Sequence, residues 1–194
     1  VLFDNISNQV VIKLQYHTFT DKETREICFH PYLLKQYNNR WYLIGAADDD
    51  GKILNFALDR IDSVTALPEM KYKPCNEDLA DRFEDIIGVT LYEDRDIEHI
   101  LFWVSNRSKD YVGTKPIHGS QCQYKNEKDE EFRRQYPSLN EGAFFSIDCI
   151  PNYELIRELC SFGKDLLVME PKSIQDDVFH HTQQMYEDYL GIRT

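Results

Sequence analysis

The stretch NNRWYLIGAADDDGKILNFALDRI, residues 38–61, sets three aspartates and a glycine between two alternating apolar runs. An Asp-Gly pair in that setting marks a tight turn between antiparallel strands, because glycine readily takes the positive φ such a turn demands. The stretch therefore reads as a hairpin, RWYLIGAA against KILNFALDRI, with Trp41, Tyr42 and Leu43 in the first arm and Arg60 near the end of the second. Side chains alternate across a strand, so Leu54, Phe56, Leu58 and Arg60 are expected on one face, and Tyr42 opposite Trp41 and Leu43. A face that buries three apolar side chains and ends in a guanidinium must pair it with a carboxylate or bring it to the rim. At a rim its fixed fork of donors can hold a phosphate. Both arrangements stay open. Trp41 reads as core packing, whereas Tyr42 and Tyr16 read either as core or as lining of a groove, since a phenol can do both. The aspartate run does not fit a calcium loop, which needs alternating oxygen ligands over about twelve residues and a closing glutamate.

Working outward, QVVIKLQYHTF (9–19) alternates Val10, Ile12, Leu14 and Tyr16 with more polar positions, the period of a half-buried strand. REICFHPYLLKQY (25–37) gives a second strand broken at Pro31, because proline cannot donate to a ladder. His30 stands at that break, either as a buried ring bonded to backbone or at a rim. Arg25 and Arg40 are candidate basic neighbours. Several short strands with tight turns and no long helix between them suggest a small β-barrel over residues 1–70. The period then changes. Leu79, Phe83, Ile86 and Ile87 predict a connecting helix over 76–88, with Asn76 as N-cap and Gly88 as terminator, inside a linker spanning 71–94.

From about residue 95 to 194, strands and helices interleave. HILFWVS, SQCQY, AFFSIDCI and DLLVME read as strands. NRSKDYVGT reads as a short helix, and NYELIRELCSFG as a helix capped by Asn152 and ended by Gly163. Pro171 opens a long last helix with an apolar stripe (Ile174, Val178, Met185, Tyr186, Tyr189, Leu190) and a Ser173–Asp176 capping box. The order β-α-β-β-α-β predicts a ferredoxin-like α/β unit. The fold class is thus mainly β plus α/β. KNEKDEEFRR (125–134) reads as a solvated loop or helix face, and His180–His181 as a surface pair rather than a metal site.

Composition limits function. A net charge of −12 from 22 Lys and Arg against 34 Asp and Glu argues against broad duplex DNA binding, which depends on many cations neutralising phosphates. Any anion site must be a local basic pocket. The five scattered cysteines form no C-x-x-C pair and read as reduced, mostly buried thiols. No membrane-length apolar run or secretory leader is present in the sequence, which predicts a cytoplasmic protein. Nucleophile, HExxH, Walker and dinucleotide signatures are lacking, so neither catalysis, nor a cofactor, nor a metal is expected.

The segment FHPYLLKQYNNRWYLIGAADDDGKILNFALDRI, with its His-Pro step, the triplet Trp41-Tyr42-Leu43 and the ending Phe56, Leu58, Arg60, Ile61, resembles the WYL domain. KPIHGSQ and IPNYELIRELCSFGKDLLVMEP resemble the extension that often follows it in bacterial transcription regulators. The resemblance implies an Sm-like or SH3-like β-barrel acting as a sensor of nucleotides or single-stranded nucleic acid. It implies a homodimer, with duplex DNA reached only through a preceding winged helix-turn-helix, and the chain reads as a piece without that reader. Arg60, with Tyr16, Tyr42 and His30, then becomes the anion-recognising edge, flanked by Arg25 and Arg40. Many members carry a second arginine where this chain has Asn55. The competing reading is a ligand-free dimerisation or protein-interaction module.

Overall fold

The structure, a computed structural model, describes residues 1–19, 23–139 and 141–193. The chain folds as two units, residues 1–83 and 84–194.

The first unit opens with helix α1 (Leu2–Ser7), which places Leu2 and Ile6, one turn apart, against the core. Strands β1 (Val11–Tyr16), β2 (Arg25–Tyr37), β3 (Arg40–Ala47), β4 (Ile53–Ala57) and β5 (Ile61–Leu67) form one antiparallel sheet in the order β4-β3-β2-β1-β5. Its edges, β4 and β5, are joined by a 3-10 turn over Leu58–Arg60, and among the described residues no ladder between them closes the sheet. The five strands expected as a small β-barrel thus form one antiparallel sheet without barrel closure among the described residues. Ile12, Leu14, Tyr16, Phe29, Leu43 and Phe56 form its buried core.

The two hairpins show how local sequence sets register. Asn38 and Asn39 both take positive φ, 49° and 63°, the backbone of a two-residue turn joining β2 to β3. At the other end Gly51, with φ 71°, closes the aspartate turn, where its N–H donates to the Ala47 carbonyl at 3.1 Å. Pro31 does not break β2. The strand runs through it with a register shift between Pro31 and Leu33, so the missing donor is absorbed by a bulge. Gly45 faces Pro31 across this irregularity, and backbone and ring come so close that a Cβ there would overlap the His30 carbonyl and lie 2.6 Å from Phe29 Cε1.

Trp41 is not core. It stands next to the Asn38–Asn39 turn with 47 % of its surface exposed, while Leu43 on the same strand is fully buried. Beside the hairpin tip the face that alternation assigns to the core is half open to solvent at this position. The expected helix over 76–88 contracts to α2 (Leu79–Glu84), started by Asp78, whose carboxylate accepts the Ala80 N–H at 2.9 Å. Asn76 does not cap it, and Gly88 lies four residues beyond its end.

The second unit contains β6 (Glu98–Val104), α3 (Lys109–Thr114), β7 (Cys122–Gln123), α4 (Glu127–Gln135), β8 (Ala143–Cys149), α5 (Tyr153–Ser161), β9 (Leu166–Glu170) and α6 (Lys172–Arg193). The sheet order is β7-β8-β6-β9, with every neighbour antiparallel. Both faces of β6 are used, which explains its continuous apolar run: Leu101 joins Phe144 and Phe132, while Phe102 stacks on Phe145 at 5.8 Å. Phe132 belongs to the charge-rich segment, which is thus a helix with one buried anchor rather than a wholly solvated face. The Ser173–Asp176 capping box does not form. The Ser173 hydroxyl lies 3.5 Å from Glu98, and Asp176 pairs with Lys172. Nor are the thiols mostly buried: all five are free, Cys149 alone is buried with its pKa pushed up to about 12, and Cys122 is exposed.

Asn152 caps α5 as expected, its side-chain oxygen accepting the Leu155 N–H at 2.9 Å. Its amide nitrogen also donates to the carbonyls of Ile87 at 2.7 Å and Thr90 at 3.1 Å. Beside it the buried Glu154 accepts from the Thr90 hydroxyl at 2.8 Å and the Val89 N–H at 3.3 Å. The segment 87–90 is thereby fixed to the start of α5.

Candidate ligand-binding site

Arg60 does not continue a strand face. β4 ends at Ala57, because the chain must turn there to carry β5 to the opposite edge beside β1, and Arg60 closes the turn. Its carbonyl accepts the His17 N–H at 3.2 Å, which holds the turn to the end of β1. The guanidinium lies over two aromatic rings, 5.3 Å from the Tyr16 centroid and 4.7 Å from Phe19. Among the described residues it makes no ion pair with a carboxylate, and its Nε is buried without a hydrogen-bond partner. Of the two arrangements left open by the sequence, the carboxylate pair is not seen among the described residues; the guanidinium instead lies on aromatic rings.

Tyr16 is 7 % exposed and packs edge-on against Phe56 at 4.7 Å. Burial raises its pKa, opposed by the nearby Arg60 charge and by a hydrogen bond to the Ala57 backbone, and Asp59 and Tyr42 push it up further. Tyr42 is half-buried in register with Ala57, whose backbone bonds the Tyr16 phenol. Arg40, at the start of β3, sits 5.9 Å from the Phe19 centroid and pairs with Asp59 at 3.2 Å. Arg25 stands in register with Tyr16 across the β1–β2 ladder. The turn between β4 and β5 thus gathers Tyr16, Tyr42, Arg40 and Arg60 around it, with Arg25 in register with Tyr16.

His30 is elsewhere. It lies five residues along β2 from Arg25, about 17 Å at the usual rise per residue. It is 0 % exposed, and both ring nitrogens are engaged: Nδ1 accepts the Lys73 N–H at 3.1 Å, so Nε2 carries the proton donated to Asp48 at 3.0 Å. Lys73 Nζ also reaches Asp48, at 2.7 Å, and the Tyr72 hydroxyl donates to the Pro31 carbonyl at 2.7 Å. His30 ties the aspartate turn to the segment after β5. Hydrogen bonds from Lys73 and His30 hold the Asp48 carboxyl below the usual carboxylate range. A depressed folded-state pKa means that this contribution is complete above the unfolded value, about 3.9, and disappears as pH falls through the folded value. An NMR titration is expected to give Asp48 a midpoint below that of an ordinary exposed aspartate; a midpoint at or above it would remove the clamp.

Sequence reasoning missed Phe19 and Asp59. Phe19 is 74 % exposed beyond the end of β1, with a threonine on either side in the sequence, so no periodicity marks it. Among the described residues no group of three or more His, Cys, Asp or Glu side chains could hold a metal, and no helix is long and apolar enough to cross a membrane.

An open antiparallel sheet whose edge turn presents a guanidinium to stacked aromatics defines a small β-sheet module with a cation–aromatic corner. Residues 1–66 match the family model of the WYL domain. No curated protein matches the chain. Among solved structures, proteasome accessory factor B/C (PafBC) of Arthrobacter aurescens is similar at 14 % identity over 91 % of this chain and 25 % of its own, with a TM-score of 0.39. A CRISPR Cas-related protein is similar at 12 % identity over 97 % of this chain and 50 % of that one, with a TM-score of 0.54. The chain thus spans a quarter and a half of these two, and the second likeness is one of fold.

Proposed function

We propose that the chain is the effector-sensing part of a cytoplasmic bacterial transcription regulator, non-catalytic, and that its first unit binds a nucleotide or single-stranded nucleic acid at the Arg60 corner. The observation that carries this reading is Arg60 itself: its guanidinium lies on Tyr16 and Phe19, and no carboxylate among the described residues neutralises it. A phosphate can take the free donors while a base stacks on an exposed ring, and base–aromatic stacking contributes roughly 1–3 kcal/mol. An Sm- or SH3-like reading of the first sheet is supported by its strand order and the 3-10 turn between β4 and β5. A ferredoxin-like reading of the second is supported by the order β9-β6-β8-β7. Duplex DNA would be reached through a separate DNA-binding domain.

A second reading, a ligand-free homodimerisation module, is favoured by α6, whose outer half leaves Met185, Tyr186, Tyr189, Leu190 and Ile192 exposed. A thermal-shift screen with nucleotides and short single-stranded oligonucleotides separates the two, because a ligand bound only by the folded state raises its apparent stability. The sensor reading expects a rise of several degrees with at least one ligand, lost at high salt. No rise with any ligand, together with a dimer in sedimentation, would leave the interaction module.

A further inference from the structure

A selectivity device lies within the Arg60 corner, and its argument rests on the sensor reading above. Two guanidinia face Phe19, Arg60 at 4.7 Å and Arg40 at 5.9 Å, but they are not equivalent. Arg40 already holds an anion, with its Nη2 3.2 Å from Asp59 Oδ2, whereas Arg60 makes no ion pair among the described residues. Asp59 belongs to the same three-residue turn as Arg60, and its charge reaches the Tyr16 phenol. The next acid, Asp62, is taken up by His17 at 3.0 Å and by the Thr24 hydroxyl at 3.4 Å rather than by either arginine.

We propose that Asp59 is a specificity-determining residue, a resident carboxylate that tunes the corner to a ligand with a single negative charge per nucleotide step, a phosphodiester, and against nucleoside polyphosphates. A phosphodiester needs one guanidinium and finds Arg60. A triphosphate brings several charges within a few ångströms of Asp59, well inside the screening length of about 8 Å at physiological salt. It is repelled there and gains Arg40 only by displacing the carboxylate. Like-charge juxtaposition of this kind acts mainly by rejecting the wrong partner.

The test is titration calorimetry on the whole chain with two probes, the thymidine dinucleotide joined by one phosphodiester and magnesium-free ATP. The proteins are the parent, Asp59→Asn, Asp59→Glu and Arg60→Ala. The parent is expected to prefer the dinucleotide. Asp59→Asn, which keeps a hydrogen-bonding oxygen toward Arg40 but removes the charge, is expected to tighten ATP about tenfold and the dinucleotide less than about threefold. Its ATP affinity should also fall more steeply with salt, because a second cation now contributes. Asp59→Glu is expected to keep the parental preference, which assigns the effect to charge rather than shape. If Asp59→Asn leaves the ratio unchanged or weakens both probes while Arg60→Ala weakens binding at least about tenfold, the selectivity role is overturned and the corner stands as a site. If neither probe binds the parent or Asp59→Asn, the corner is not a nucleotide site and both proposals fall.

Discussion

Gly45→Ala is expected to cost the first unit about 3 kcal/mol or more, beyond the usual range for a single added methyl in a core. The reason is what the methyl meets. A side chain that overlaps a neighbour's flexible tip can be relieved by a rotamer change. Here the added Cβ would overlap the His30 backbone carbonyl, and the next nearest atoms are those of the fully buried Phe29 ring. Relief requires β2 and β3 to separate where the register already shifts at Pro31. For a unit of this size such a loss corresponds to a fall in melting temperature of more than about 10 °C. Gly51→Ala is the internal comparison. Its Cβ meets nothing within 4 Å, and only the positive φ of 71° opposes it. That substitution should cost about 1–2 kcal/mol. Thermal unfolding of both variants checks the argument, which fails if Gly45→Ala is no worse than Gly51→Ala.

Arg60→Ala is expected to weaken binding of nucleotide or single-stranded DNA by at least about tenfold, close to the 1.4 kcal/mol within reach of one charge-assisted contact. The fold should survive. Arg60 is half-buried in an edge turn, its guanidinium lies over two rings, and the bond its backbone carbonyl accepts from the His17 N–H is one that alanine retains. Fluorescence anisotropy for binding and circular dichroism for folding separate the two consequences. If the substitution unfolds the unit, and the parent binds no ligand, the arginine is a structural partner of Tyr16 and nothing more.

The sequence carried the register of the first unit further than the positions of its functional groups. The Asp-Gly turn and the alternation of Ile12, Leu14 and Tyr16 were legible, because strand period and turn chemistry are local properties. Whether a strand continues or turns depends on where its next partner lies. KILNFALDRI therefore read as one strand, whereas β4 must stop at Ala57 for β5 to reach β1. The same error put Arg60 on a core face. Trp41 failed differently: its alternation with Leu43 is correct, but burial depends on what covers a position, and beside the hairpin tip it remains half exposed. β5 carries no strand period in the sequence because, as a sheet edge, it buries none of its seven residues fully. In the site, Tyr16, Tyr42, Arg40 and Arg60 were named from sequence and are gathered by the fold, while His30 proved to be committed to Asp48 and Lys73. Phe19 comes from a loop, where no period constrains a side chain.

The polar clamp at the start of α5 determines where the chain can be cut. Asn152 reaches back 65 residues to Ile87 and 62 to Thr90, and Glu154 reaches 65 and 64 residues to Val89 and Thr90. A second unit excised from residue 95 would look complete by its strands and helices. It would nevertheless lose the bonds that the Asn152 amide and a Glu154 oxygen make to this segment, at about 0.5–1.5 kcal/mol for each. A boundary drawn before Ile87 keeps them. The four residues 87–90, which belong to no helix or strand, thus act as a detached piece of the α5 cap, and a truncation series should show a step in stability there rather than at the first residue of β6.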